Sequence, residues 1–293
     1  MTDPRELLAV YLRQRQELGE GPVILEIPSP APASAGSAEP VTSAATPGPA
    51  RPPRPPAPPS SASPPSPRTP LRTPTGRTAA QSWRRGAPAV PPTGIVVPAA
   101  EKDLFSADPL SGMGLAELAA AVRQCTRCAL CRARTNAVPG EGPADARLVV
   151  VGEGPGATED ETGRPFVGRA GQLLTEILAA IDLARDQVFI CNVVKCRPPD
   201  NRKPQQDEID TCAPYLYRQL DLIRPRVILA MGNTAAETLL NTRQSLNSLR
   251  GRVHQFRGMP LIVTYHPAAL LRNPHWKKPT WDDVRIARQL IDA

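Results

Sequence analysis

Four short runs of almost continuous apolar character punctuate the second half of the chain: RLVVVGE (147–153), QVFICN (187–192), RVILAMG (226–232) and PLIVTYH (260–266). Each is too short for a helix and rich in β-branched residues. That is the pattern of strands buried on both faces. Between and after them the apolar positions recur every three to four residues, which predicts helices over 114–125, 168–181, 205–223, 234–240 and 280–291. Strand alternating with helix implies a parallel sheet covered on both sides. The expectation is therefore an α/β fold of three layers, α/β/α, around a central four-stranded, mainly parallel sheet.

The first half reads differently. Residues 3–18 predict a short helix: Asp3 is an N-cap, Pro4 takes the first helical position, Glu6 completes a capping box and Gly19 stops it. Leu8, Tyr11, Leu12 and Leu18 lie near one face. A helix this short is marginal alone, so it is expected to dock, on its own catalytic domain in preference to a partner protein. Beyond it the pattern disappears. The chain has 293 residues and 37 prolines, and more than half of the prolines lie between Pro28 and Pro98. Such a density supports neither helix nor sheet. Three segments follow: a helical segment 1–27, a disordered Pro-rich linker 28–106 and a domain 107–293, the last of a size that buries a real core. Within the linker, PPRPPAPP is the kind of polyproline segment that an SH3-like groove of a protein partner takes.

Charge and cysteine count narrow the class. The net charge is +7 and the pI about 9.4, which permits a polyanionic partner without demanding one. The Pro-rich half contributes Arg51, Arg54, Arg68, Arg72, Arg77, Arg84 and Arg85. No apolar run is long enough to span a bilayer, and MTDPRELLAV lacks the basic and apolar regions of a signal peptide. The expected location is the cytoplasm, with no membrane contact. There, six cysteines serve as metal ligands or buried thiols more often than as disulfides.

Ligands of an open parallel sheet bind beyond the carboxyl ends of its strands. The four runs lead there into GEGPG (152–156), NVVKCRPPDNRKP (192–204), GNTA (232–235) and YHPAALL (265–271). Glu153, Asn192, Asn233 and His266 are thus gathered on one rim, a carboxylate, two amides and an imidazole. GEGPG has neither the Gly-Lys-Ser/Thr of a phosphate-binding P-loop nor the third glycine of GxGxxG, which disfavours nucleotide binding. Cys125 and Cys128 form a C-x2-C pair, and Cys196 and Cys212 lie well downstream. Together they suggest one four-thiolate site for an iron–sulfur cluster or Zn²⁺, and spacing does not choose between these. Cys131 adds a thiol to the first group, and Cys191 lies inside a strand.

GEGPGATEDETGRPFVGRAGQLL, NVVKCRPPDNRKP, C-x-PYL (212–216) and YHP together resemble the family 4 uracil-DNA glycosylases, the iron–sulfur branch of the uracil-DNA glycosylase superfamily. The likeness runs from about Gly114 to the C-terminus and leaves out the Pro-rich half. A related branch forms a covalent adduct with DNA through a histidine in a KRRIH-like insertion, and this chain has no such insertion. The resemblance implies a monofunctional hydrolase that cuts the N-glycosidic bond of uracil in single- or double-stranded DNA, initiating base-excision repair, and acts as a monomer held to the nucleoid through DNA. It implies a [4Fe-4S] cluster on Cys125, Cys128, Cys196 and Cys212, read as structural. It also implies a uracil pocket of Glu153, Gly154, Pro155, Phe166, Asn192 and His266, with Glu153, Asn192 and His266 catalytic.

These residue types suit the chemistry. The target base has to leave the stack to be reached. Phe166 offers it a flat face, Asn192 can pair with O4 and N3–H, and His266 can donate to O2 as charge builds there. Glu153 can steady the sugar cation or activate water, a task for which Asp160 and Glu161 are the alternatives. Lys195, Arg197, Arg202 and Lys203 around Cys196 are candidates for phosphate contacts. The rival readings are the same fold acting on another deaminated base, and a DNA-binding scaffold with a dead site.

Overall fold

The computed structural model describes residues 82–99 and 109–293. The sheet has six strands, not four: β1 (Thr93–Val97), β2 (Leu148–Gly152), β3 (Phe189–Asn192), β4 (Val227–Met231), β5 (Val253–Phe256) and β6 (Met259–Thr264), in the order β1-β5-β6-β4-β2-β3. The expected four, β2, β3, β4 and β6, form its parallel part. The two unexpected strands make the far edge: β5 is antiparallel to β6, and β1 is parallel to β5.

All residues of β2, β3 and β4 are buried, and alternate side chains go to opposite faces. Val149, Val151, Cys191, Ile228 and Ala230 meet one apolar layer, with Leu118, Leu216 and Leu220. Leu148, Val150, Ile190, Val227 and Leu229 meet the other, with Leu174, Leu178 and Ile291. The first layer is built on α1 (Leu115–Gln124), α4 (Gln206–Ile223) and α5 (Asn233–Leu240). The second is built on α3 (Arg169–Ala180) and α8 (Lys277–Asp292). The three-layer expectation holds.

Short helices α2 (Ala157–Thr162), α6 (Leu246–Leu249) and α7 (Pro267–Arg272) sit in the loops. Because α3 and α4 cover opposite faces, the chain leaves β2 outward to β3 and then returns past it to β4. The carboxyl ends of β2 and β4 therefore flank the point where the winding reverses, the usual place for a ligand crevice.

Both extra strands have physical causes that a search for continuous apolar runs overlooks. β5 alternates half-buried with buried positions, as suits a strand with one wet face. It turns into β6 through Arg257 and Gly258, both at positive φ, a two-residue hairpin turn. β1 corrects the expected linker of 28–106, since residues 82–99 belong to the folded unit. TGIVV lies between prolines, which an edge strand tolerates at its ends. Its backbone is tied by Arg257 N–H to the Val97 carbonyl at 2.7 Å and by Ile95 N–H to His254 Nδ1 at 2.9 Å. Trp83, 1% exposed, joins the apolar layer under α8. Arg285 and Gln289 of α8 hold the Arg85 and Pro88 carbonyls, each at 3.0 Å. The helix expected over 3–18 lies outside the described residues.

Candidate active site

At the reversal point a cavity of about 700 Å³ opens, and Glu153, Gly154, Pro155, Phe166, Asn192 and His266 all line it. They come from four separate segments: the end of β2, the loop before α3, the end of β3 and the start of α7. Asn233 lines it as well, with its amide donating to Glu237. Of the three carboxylates weighed for activating water, Glu153 faces the cavity and accepts from Thr234 Oγ1 at 2.5 Å. Asp160 is buried, and both its oxygens take backbone N–H groups of Thr135 and Asn136 at 2.9–3.2 Å. Glu161 is exposed and outside the cavity lining.

Asn192 is 1% exposed, and its Oδ1 is buried without a hydrogen-bond partner. A buried carbonyl left unpaired costs about 1–3 kcal/mol, so this atom marks where a donor belongs. Space for it comes from Gly152: any side chain there would collide with Asn192 Oδ1 and the Phe166 ring. Phe166 is itself held in an unusual state, with φ of 50°, a conformation that a bulky residue adopts only under constraint. The constraint is Arg185, which donates to the Phe166 carbonyl at 2.9 Å and the Pro165 carbonyl at 2.5 Å while pairing with Glu141 at 2.9 Å. Gly171 in α3 completes the fit, since a side chain there would strike the Phe166 carbonyl.

His266 packs its ring 5.4 Å from that of Phe166 and caps α7, its Nδ1 accepting from Ala268 N–H at 3.2 Å. Nδ1 therefore carries no proton, and in the neutral ring the proton sits on Nε2. Burial lowers the His266 pKa to about 4, with Arg272 acting in the same direction and Glu159 opposing. The side chain is a neutral N–H donor at physiological pH.

Cys125, Cys128, Cys196 and Cys212 line a second, smaller cavity, and Cys131 lines it too. Cys125 caps the end of α1, Cys196 follows β3 and Cys212 lies in α4, so three elements meet there. Among the described residues no three His, Cys, Asp or Glu side chains converge on one ion-sized position; the thiols ring a space instead. Burial pushes the Cys212 thiol up to about 12 and raises those of Cys128 and Cys196. Cationic and N–H donors nevertheless face the sulfurs: Arg134 Nη1 to Cys196 Sγ at 2.9 Å and Lys195 N–H to Cys212 Sγ at 3.3 Å. Cys191 is fully buried in β3, away from this cavity.

The expected phosphate cluster is corrected in part. Lys195 is 1% exposed and points inward, donating to the Asn192 carbonyl and Gln219 Oε1, both at 2.7 Å. Arg202 is engaged by Glu208 at 2.7 Å, and Lys203 by Glu237 at 3.1 Å. Arg185, Gly171, Thr234 and Gln219 were not legible from motif spacing, because they act through contacts with residues distant in the chain.

The stretch that carries the sheet's reversal point and these four loops, residues 139–287, matches a family model described as the Uracil DNA glycosylase superfamily. A type-4 uracil-DNA glycosylase of Thermotoga maritima is 50% identical over 174 residues, covering 58% of this chain and 91% of that protein. One of Pyrobaculum aerophilum is 46% identical over 170 residues, covering 55% and 87%. A type-5 uracil-DNA glycosylase of the same organism is 33% identical over 150 residues, covering 45% and 66%. The chain belongs to the type-4 uracil-DNA glycosylases.

Proposed function

We propose that the larger cavity receives uracil turned out of DNA and that this chain hydrolyses the bond between uracil N1 and deoxyribose C1′. The observation that carries the reading is the unpaired Asn192 Oδ1, buried against Phe166 in the cavity wall. Uracil offers N3–H to this oxygen and O4 to the amide nitrogen. Cytosine has no proton at N3 and a donor at position 4, so it would leave both groups unpaired, which is how a polar site discriminates strongly. Phe166 supplies the flat wall.

As the bond breaks, the electron pair goes to N1 and negative charge spreads to O2, where Nε2–H of His266 meets it. A neutral donor stabilises this charge without giving up its proton. The sugar is left cationic at C1′. Water adds there and loses a proton to solvent, and the departing uracil anion takes one up, giving an abasic site and free uracil. Glu153, which accepts from Thr234 and lines the cavity, assists that water or the cation. A uracil-containing oligonucleotide, followed by alkaline cleavage of the abasic product, tests the activity. Near wild-type rates in both Asn192→Ala and His266→Ala would place the reaction elsewhere.

Cys125, Cys128, Cys196 and Cys212 fit a [4Fe-4S] cluster. Five thiols ringing a space between three elements suit a polynuclear group, and Arg134 and Lys195 offset the charge of thiolates. Bound there, the group supplies a cross-link between the end of α1, the loop after β3 and α4, with no part in bond breaking. The DNA partner, monomeric state, cytoplasmic location and a protein partner for the Pro-rich arm complete the proposal. Among the described residues no helix is long and apolar enough to cross a membrane.

A further inference from the structure

The cavity of about 700 Å³ far exceeds what one pyrimidine fills, and Asn247, Tyr265, Arg272 and Trp276 line it too. Trp276 stacks on Tyr265 with ring centroids 4.6 Å apart and planes within 6°. Tyr265 is fixed in turn: it is 7% exposed, its hydroxyl donates to Asn247 Oδ1 at 2.6 Å, and the Arg250 guanidinium covers it at 4.4 Å. Arg250 is anchored to the buried Asp283 at 2.8 Å. Trp276 has its own backbone pinned, with N–H to the Asn273 carbonyl at 3.1 Å and its carbonyl accepting from Thr280 Oγ1 at 2.8 Å. A rigid stack therefore ends in an indole that is still 37% exposed.

The surroundings are unusual for a stray surface tryptophan. Every residue of the run LRNPHWKK (271–278) is exposed, and the run carries Arg272, Lys277 and Lys278 with no acid. The described residues expose four large apolar side chains, and two of them, Leu271 and Trp276, lie in this run. A pre-ordered flat ring amid cations, on the wall of the cavity that takes the uracil, is the combination by which proteins hold unpaired nucleotides: stacking for the base, charge for the phosphates. In a duplex the base beside the flipped uracil is still held by its own base pair and by the stack on its other side, so it reaches the indole only if that pair breaks, whereas in a single strand it is free to turn.

Resting on the uracil reading above, we propose that Trp276 is a stacking platform for the unpaired base next to the flipped uracil, so that this enzyme grips single-stranded DNA through a second base site. Loss of one such stack weakens binding by about 5- to 150-fold.

The test compares full-length, iron-loaded wild type, Trp276→Ala and Trp276→Phe in single-turnover excision. The substrates are one uracil oligonucleotide as a single strand and the same strand as a U:G duplex. Tryptophan emission is followed during titration with a uracil-free single strand. The expected result is a half-saturating concentration raised about tenfold or more in Trp276→Ala on the single strand, an unchanged limiting rate, little change on the duplex and recovery in Trp276→Phe. Wild-type emission should be quenched by the single strand, and most of that response should vanish in Trp276→Ala. Equal losses on both substrates, no loss on the single strand, or a fall confined to the limiting rate would overturn the platform. Absence of excision by the wild type would instead overturn the uracil reading, and the emission titration would still decide whether Trp276 holds a base.

Discussion

His266 shows how one side chain acquires a role from two local contacts. Its Nδ1 is spent on the Ala268 N–H, and burial holds its pKa near 4 against an ordinary value of 6.5. Because the folded pKa is depressed, the unfolded chain binds the extra proton first as pH falls. The stability contributed by neutral His266 is present above about pH 6.5 and is lost between there and about pH 4. Imidazole carbon shifts followed by NMR should accordingly show His266 neutral at pH 6, and the bond-breaking step should show no inflection from it near 6.5. Replacement by Ala should slow single-turnover excision by about 10²–10³-fold while disturbing DNA binding much less. Asn192→Asp should also slow excision, since a carboxylate cannot donate to O4. The residues at strand ends were legible because a parallel sheet has one functional rim. What held them was not. Nothing near Arg185 in sequence says that it fastens the Phe166 carbonyl. Arg185→Ala should free that loop and weaken uracil binding, seen as a higher half-saturating concentration with uracil DNA and weaker inhibition by free uracil.

At the scale of elements, the segment from the end of β3 to α4 carries both sites. Asn192 and Cys196 are joined by a loop whose Lys195 is buried between the Asn192 carbonyl and Gln219 of α4. A buried ammonium facing neutral acceptors is costly unless negative charge lies near, and its charge acts on the Cys212 sulfur. Lys195→Met should lower both excision and iron content per chain, read by colorimetric iron assay and by melting temperature. Replacing Cys125, Cys128, Cys196 or Cys212 by Ser should bleach a brown protein holding about four irons, whereas Cys191→Ser should leave the iron in place. Cys131→Ser should do so as well, although Cys131 shares the cavity. From sequence the lysine read as a phosphate ligand, because a charge among charges suggests surface. Only the packing of Gln219 against the loop reveals that it points inward.

For the whole molecule, proline density marked out the stretch before the domain but placed its end too late. A five-residue strand between prolines has too little apolar weight to register, and its partner β5 hides its signal in alternation. Truncation separates the two views. Removing residues 1–81 should leave oligonucleotide excision nearly unchanged. Removing residues 1–105 should destabilise the enzyme by stripping β1 and the buried Trp83. Trp83→Ala alone should cost about 3–5 kcal/mol in chemical denaturation.

The docking of β1 also sets an order of events during synthesis. Ile95 finds its partner His254 159 residues later, and Trp83 waits for α8 at the end of the chain. Contacts so distant form late, while a ribosome adds only about 5–20 residues each second. The strand is therefore made early and seated late. Until β5 emerges the nascent chain displays an unsatisfied strand edge, and until α8 follows it displays a bare indole, the features by which chaperones and proteases distinguish unfinished proteins from finished ones.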